Sequence, residues 1–357
     1  MFKSNKWWLL LIGLVVLGLA LAACRPAAVE PTATAEPPPT EVPPTKVPPI
    51  RIAVFNPVLG NSYTDAVTRG VRDTAAELGG EVTIDVFGAE YDAVAQNNQI
   101  EDAIVAGYDA LVIYAVDGNA VIPAVEDAVE AGLVVVGADV PIGPDPRVLE
   151  PCCGMTAMVG LTGYRHGTYL SEMIIMACEE AVGAGNLCKV GYINGVQALT
   201  IDQERVAAVT DVLAEHAEIE IVSMQEAFYL QDQGYTVAQN MLQANPDINV
   251  LASPGDQMML GAEQAVIDAG LEGKIVLNGN GASEQGYQAV KEGRWFATFA
   301  HIPYTIGLDA GEIAIKTLRG EKDLPTFVDA GERIPPLPAS TGPIITQESA
   351  DEFEPQW

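Results

Sequence analysis

The stretch Tyr108–Asp139, "YDALVIYAVDGNAVIPAVEDAVEAGLVVVGAD", decides the fold. Its first third is a short apolar run, "ALVIYA", too brief for a helix and rich in the residues that suit a pleated, buried surface. Asp117 then offers a capping side chain, and apolar residues recur at helical spacing through "NAVIPAVEDAVEAG", which stops at a glycine. A second apolar run, "LVVVGAD", ends on the carboxylate of Asp139. A strand, a crossover helix and another strand in so short a space form a right-handed unit with parallel strands.

Reading outward, the same rhythm fills the chain. "RIAVFN", "VTIDVFG", "ALVIYA" and "LVVVGAD" alternate with helical patterns from residue 50. After residue 155 it restarts. A helix is predicted over "MVGLTGYRHGTYLSEMIIMACEEAV", followed by strands "CKVGYIN", "IEIVSMQEAF", "INVLAS", "KIVLNGN" and "WFATFA" with helices between them. The segment "DINVLASPGDQMMLGAEQAVIDAGLEGKIVLNGN", Asp247–Asn280, repeats the order of the opening stretch. It has an apolar strand, an Asp (Asp256), a helix ending in Ala-Gly-Leu, and a strand ending at a polar residue, Asn280. Two similar α/β lobes, each with a doubly wound parallel sheet, fit this echo better than one sheet of a dozen strands.

The 357 residues are 49% hydrophobic, enough for sizeable cores. With 18 Lys+Arg against 48 Asp+Glu, the net charge of −30 repels phosphate backbones and anionic bilayers, so no nucleic-acid partner is expected. Lys3 and Lys6 precede the uncharged run "WWLLLIGLVVLGLALAA", which reads as an export signal; an uncleaved membrane helix is the alternative. The ending "LAAC" resembles the lipobox of bacterial lipoproteins, which implies cleavage of residues 1–23 and lipid on Cys24. Residues 24–49 are then a Pro- and Thr-rich tether, too poor in apolar surface to offset its ordering entropy.

Cys152, Cys153, Cys178 and Cys188 remain, and four cysteines allow three pairings. Cys178 and Cys188 flank "EEAVGAGNL", a helix-to-strand turn that a bridge would close, leaving Cys152 and Cys153 as a vicinal pair. A metal site is the alternative for these cysteines, but no ligand spacing accompanies them, and neither metal nor cofactor is expected.

In open parallel sheets ligands bind beyond the carboxyl ends of the strands. Those segments here ("FNPVLGNSYTD", "YAVDGN", "GADVPIG", "INGVQALTID", "FYLQDQG", "SPGDQ", "GNGAS", "AHIP") hold amides, carboxylates and tyrosines but neither Arg nor Lys. They suit a neutral polyhydroxylated ligand, since amides and carboxylates take hydroxyls and aromatic faces take C–H surfaces. From about Ile52 to Pro325 the chain resembles the type I periplasmic solute-binding proteins of the ribose-binding branch. The stretches that carry the likeness are "IAVFNPVLGNSYTDAVTRGV", the opening stretch itself, "AQNMLQANPDINVLASPGDQMMLGAEQA" and "GRWFATFAHIPYTIGLDAGEIAIKTLRGE".

The resemblance implies two lobes joined by a three-strand hinge, closing on one small solute that is handed to an ABC permease by a monomeric, non-enzymatic protein outside the cytoplasm. It implies a first lobe of 50–156 plus 302–330, a second of 157–301 plus 331–345, and a tail of 346–357. Carried over residue by residue, it implies ligand contacts from Asn61, Tyr63, Thr64, Tyr114, Asp139, Tyr229, Asn280 and His301. Gln203 stands at the family's second-lobe Arg position, Val140 replaces the Arg after the strand-end Asp, and Asp256 is the polar group nearest a missing Asn at Gly255. Asp256 also reads as a helix cap, His301 as a satisfied hinge residue and Arg205 as half of a structural ion pair. An enzyme is disfavoured. Glu284 occupies the third Gly position of the nearest dinucleotide pattern, and His166, His216 and His301 form no nucleophile–base set in the sequence. A ligand sensor facing a receptor would look the same as a permease's binding protein, and a nucleoside is an alternative ligand.

Overall fold

The structure is a computed structural model that describes residues 49–334 and 342–357. The leader, Cys24 and the tether up to residue 48 lie outside the described residues. In chain order the elements are β1 (Ile50–Asn56), α1 (Ser62–Leu78), β2 (Val82–Gly88), α2 (Ala93–Ala106), β3 (Ala110–Ile113), α3 (Ile122–Glu130), β4 (Val134–Asp139) and β5 (Ala157–Gly160). Then come α4 (Gly163–Val182), β6 (Cys188–Asn194), α5 (Thr200–Leu213), β7 (Ile219–Glu226), α6 (Gln231–Ala244), β8 (Val250–Ala252), α7 (Asp256–Asp268) and β9 (Val276–Asn278). The remainder is α8 (Glu284–Lys291), β10 (Ala297–Phe299), α9 (Pro303–Leu318), β11 (Phe327–Asp329), α10 (Ala330–Arg333), β12 (Ile344–Thr346) and a 3-10 turn over Ala350–Glu352. Among the described residues no helix is long and apolar enough to cross a membrane.

Two six-stranded sheets result. The first runs β11-β5-β4-β3-β1-β2, all parallel; the second runs β12-β10-β9-β8-β6-β7, parallel except for β12 against β10. The first five strands of each sheet share one doubly wound order, so the internal echo seen in the sequence is an echo of topology. Central strands such as "ALVI" of β3 are buried along their whole length, because helices cover both faces. Helices α1 and α9 pack on each other beside the first sheet, and Gly70 and Gly307 let them touch: a Cβ on Gly70 would lie 2.2 Å from the Tyr304 carbonyl oxygen. The chain passes between the sheets three times: at Leu161–Thr162, at Ala300–Ile302, and between Arg333 and Ile344, the last run containing residues 335–341, which are outside the described set.

Three expectations need correcting. The lobe boundary at 156/157 is displaced, because β5 hydrogen-bonds to β4 and β11 in the first sheet, and the helix predicted to include it begins only at Gly163, where the Thr162 side chain accepts the Arg165 N–H. Residues 346–357 are not a loose tail: Thr346 completes β12, Phe353 is buried, and the Trp357 carbonyl accepts the Glu284 N–H. Asp256 does not cap its own helix; it is fully buried and accepts hydrogen bonds from the N–H groups of Asn280 and Ser283 and the hydroxyls of Ser283 and Thr298. Burial pushes its pKa up to about 6 against those bonds.

Cys178 and Cys188 are bonded, tying the end of α4 to the start of β6, and Cys152 bonds Cys153 in the β4–β5 loop. All four thiols are consumed, which removes the metal alternative for them. The Cys178–Cys188 loop spans a sequence separation of 10. For a loop of that size the chain-entropy relation gives roughly 2.7 kcal/mol. The double variant Cys178→Ala/Cys188→Ala is therefore expected to lower unfolding free energy by about 2–3 kcal/mol in urea titration. An unchanged midpoint would show that the bridge contributes nothing.

Candidate functional site

The carboxyl ends of the two sheets face each other and carry the polar residues. Asn61 caps α1 by accepting the Tyr63 N–H, which fixes Tyr63 in the first turn with its ring over the cleft. The Tyr63 hydroxyl donates to Asp139 Oδ1 at 2.7 Å and lies 2.9 Å from His301 Nδ1. Asp139 closes β4 in the left-handed region (φ 64°) and is 2% exposed. Its Oδ2 is buried and accepts no hydrogen bond from the described residues. Tyr114, at the end of β3, stands edge-on to Tyr63. Burial raises the Asp139 pKa, and the Tyr114 and Tyr63 hydroxyls and Arg205 oppose that rise by favouring the charged form.

The second lobe answers with a cation. Arg205, on α5 and 4% exposed, donates through Nη1 to Asp202 Oδ1 (2.9 Å) and to the Tyr229 hydroxyl (2.8 Å). The same Tyr229 hydroxyl donates to Asp202 at 2.6 Å. The Arg205 Nε–H points at His166 Nδ1, 2.8 Å away. This makes Nδ1 an acceptor and assigns the proton of His166 to Nε2, where it reaches Asn280 Oδ1 at 2.8 Å. Asn280 in turn donates to the Pro254 carbonyl. Burial and the Arg205 charge hold both His166 and His301 well below the usual imidazole range, so both are neutral. For Arg205 itself burial works against the charge, but Tyr229, Asp202, Tyr114 and Asp139 outweigh it and its pKa is raised.

His301, in the second crossing, stands with Nε2 3.2 Å from His166 Nε2. A continuous polar chain thus runs Asp202–Arg205–His166–His301–Tyr63–Asp139 from one lobe to the other. It frames a cavity of about 40 Å³ lined by Asn61, Tyr63, Thr64, Tyr114, Tyr229, Asn280 and His301. Tyr91, Arg205, Gln257 and Trp357 line it as well, and none of them was among the candidates read from the sequence. At roughly 10–15 Å³ per water the cavity holds about three waters. A monosaccharide enters only as the lobes part. Across the cleft, Val116 and Val140 of the first lobe pack with Leu199 and Ile201 of the second, and at its rim the Arg147–Glu204 pair (2.6 Å), with an exposed Arg147, adds about 1 kcal/mol or less.

Three candidates are placed elsewhere. Gln203 turns away from the cavity and donates to the Gln197 carbonyl, beside Met224 and Phe228 on the flank of the second lobe. Asp256 is committed to the turn after β9. Asp139 stands behind Tyr63 and reaches the cavity wall through it. The expectation of a cleft without a guanidinium fails: Arg205, two residues after Gln203, supplies one. Among the described residues no cluster of His, Cys, Asp or Glu could hold a metal ion.

Residues 52–322 match the family model described as "Periplasmic binding protein domain". The chain is 32% identical over 236 residues to the D-ribose/D-allose-binding protein of Pseudomonas aeruginosa, covering 65% of this chain and 70% of that one. It is 29% identical over 264 residues to the ribose import binding protein of Bacillus subtilis, covering 74% and 80%. In fold it is similar to an ABC transporter periplasmic solute-binding protein from Actinobacillus succinogenes solved with bound D-allose, with a TM-score of 0.70, 24% identity, and 85% of this chain and 100% of that one covered. With the family model spanning most of the folded chain and two lobes of matching architecture, the chain belongs to the periplasmic binding protein domain family.

Proposed function

We propose that this protein binds a small neutral polyhydroxylated solute, a monosaccharide or a related polyol, between its two lobes outside the cytoplasm and delivers it to an ABC permease. On this reading it is a monomeric lipoprotein, held at the membrane by lipid on Cys24, with residues 24–49 giving it reach. The single observation that carries the reading is the Asp139 carboxylate. Its Oδ2 is buried without a hydrogen-bond donor among the described residues, and on this reading a ligand's hydroxyl reaches it as Tyr63, which covers it in the closed form, moves aside when the lobes part. Around it, Tyr63, Tyr114, Tyr229 and Trp357 offer aromatic surface for C–H groups. Arg205 is already neutralised by Asp202, so it donates hydrogen bonds without calling for an anionic ligand.

The mechanism is hinge closure. The open form admits solute, whose hydroxyls bridge Asp139 and the tyrosines of one lobe to Arg205 and Asn280 of the other, and closure hides it. Ligand supplies the differential energy by adding hydrogen bonds to both lobes at once, beyond the contacts the closed lobes already share.

Thermal unfolding of the purified protein against D-ribose, D-allose, other hexoses, polyols, cyclitols, nucleosides and amino acids tests the reading. A solute present at a hundred times its Kd adds about 2.7 kcal/mol of stability. A shift confined to one sugar or polyol is expected; a shift given only by nucleosides or amino acids would overturn it.

A further inference from the structure

The segment after the 3-10 turn leaves the second lobe and crosses the mouth of the cleft. Phe353 is still buried in the second lobe's core. Gln356 then engages the first lobe: its carbonyl accepts from Arg69 of α1, its side-chain oxygen accepts the Thr305 N–H at 3.1 Å, and its amide donates to Thr305 Oγ1 at 2.8 Å. The next residue returns to the second lobe. The Trp357 indole N–H donates to the Gly281 carbonyl at 2.8 Å, and the Trp357 carbonyl accepts the Glu284 N–H at 2.8 Å.

The indole ring lines the same cavity as Tyr63 and Tyr229 and stands edge-on to Tyr63, with ring centroids 5.4 Å apart. The residue as a whole is half-buried. An independent feature shows that the second lobe is shaped for it. Gly281 adopts φ 135°, and a Cβ there would lie 2.4 Å from Trp357 Cζ2, so only glycine leaves room for the ring.

We propose that Trp357 is a ligand-contacting, specificity-determining wall of the cavity, and that Gln356 clasps it across both lobes. The inference rests on the solute-binding reading of this cavity and deepens it. The indole adds a large apolar surface beside Tyr63, which favours a ring with a C–H face, such as a pyranose or a cyclitol, over a linear polyol. Because Gln356 holds one lobe and Trp357 the other, opening must break one set of these bonds. The strap therefore slows solute escape from the closed form.

Calorimetry and stopped-flow release with D-ribose, D-allose and myo-inositol, on the full-length protein and its Trp357→Ala and Trp357→Phe variants, test the assignment. Trp357→Ala is expected to weaken the solute that binds best by about tenfold or more, mostly through faster release, since truncating a central aromatic anchor typically has at least that effect. Trp357→Phe, which keeps a ring but loses the N–H, is expected to stay within about threefold. Wild-type affinity and release rate in Trp357→Ala would overturn the proposal.

Amide exchange supplies a readout that needs no ligand. The Glu284 N–H is expected to exchange at least about tenfold faster in Trp357→Ala than in the wild type, and equal rates would overturn the strap. If none of the three solutes binds the wild type while Glu284 exchange accelerates, the solute class falls and the strap stands. If Trp357→Ala does not fold, Gly281→Ala expels the ring from the other side and is expected to show the same loss of affinity and of Glu284 protection; retention of both would overturn the proposal.

Discussion

Replacing Asp139 by Asn is expected to reduce solute affinity at least about a hundredfold while leaving the ligand-free protein as stable as the wild type or slightly more stable. Asn suits the test better than Ala, because the residue sits at φ 64° and Asn tolerates the left-handed region. The variant keeps the shape and still offers Oδ1 to the Tyr63 hydroxyl. It loses the charge and turns an acceptor, the unpartnered Oδ2, into a donor. Hydrogen bonds to a charged group are worth roughly 1.5–3 kcal/mol each, so two lost at the ligand correspond to about two decades or more in Kd.

Stability moves the other way because burial, the largest influence on this group, disfavours its charge. The pH dependence carries a definite sign. The folded, ligand-free protein holds the Asp139 proton more tightly than the unfolded chain does. This group's contribution to stability is therefore present below the ordinary carboxyl range and is lost as pH rises through the elevated folded value. Ligand hydroxyls favour the ionised form, so binding weakens on acidification through the same range and releases protons there. Isothermal titration in buffers of different ionisation enthalpy reads both. Wild-type affinity in Asp139→Asn would remove this carboxylate from the site.

Arg205→Met is expected to cost about 3–5 kcal/mol of unfolding free energy, the largest stability effect foreseen here. The guanidinium satisfies Asp202, Tyr229 and His166 together, and Asp202 is fully buried. Without it a buried carboxylate retains only the Tyr229 hydroxyl and the Val196 N–H as donors. Asp202→Asn in the same chain removes the stranded charge, so the double variant is expected to recover at least about half of the loss. Urea unfolding of the two single variants and the double variant measures this. A single-variant loss below about 1 kcal/mol would show that the cluster contributes polarity without stability.

The alternating strands and helices were legible because each central strand is a continuous apolar run and each helix shows a buried stripe. What failed was the short, fully buried strand placed directly before a helix. "AMVG" of β5 runs into "LTGYRHGTYL" without a break in hydropathy, and four buried residues read equally as a helix's first turn. Thr162, three residues before Arg165, was the overlooked cap. Strand β11, three residues long, escaped for the same reason.

At the site, the rule that ligands sit beyond strand ends selected the segments, and the family resemblance singled out Tyr63, Tyr114, Tyr229, Asn280 and His301 within them, which the structure gathers around one cavity. It could not find Arg205, which lies on a helix flank. Helical register could have done so, since Ile201, Asp202, Arg205, Ala208 and Val209 share the buried face of α5, while Gln203, matched by alignment of segments, points off it. Trp357 carries no local signal. Its place depends on a strand pairing between β10 and β12 and on the glycine at position 281.

The order in which the chain leaves the ribosome gives the interleaved topology a further consequence. Strands β1 to β5 are synthesised together, but α9, which covers β3, β4 and β5, is complete only about 160 residues of chain later, and β11, the strand that flanks β5, later still. At roughly 5–20 residues per second the first sheet waits about 8–30 s with the part of one apolar face beyond α1 bare and β5 exposed as an unpaired edge. The second sheet has its five parallel strands in one contiguous run and waits only for β12, whose first residue, Ile344, follows the end of β10 at Phe299. The half of the molecule made first is therefore the half that waits longest for its closing elements, and during synthesis it is the one that needs a chaperone's cover.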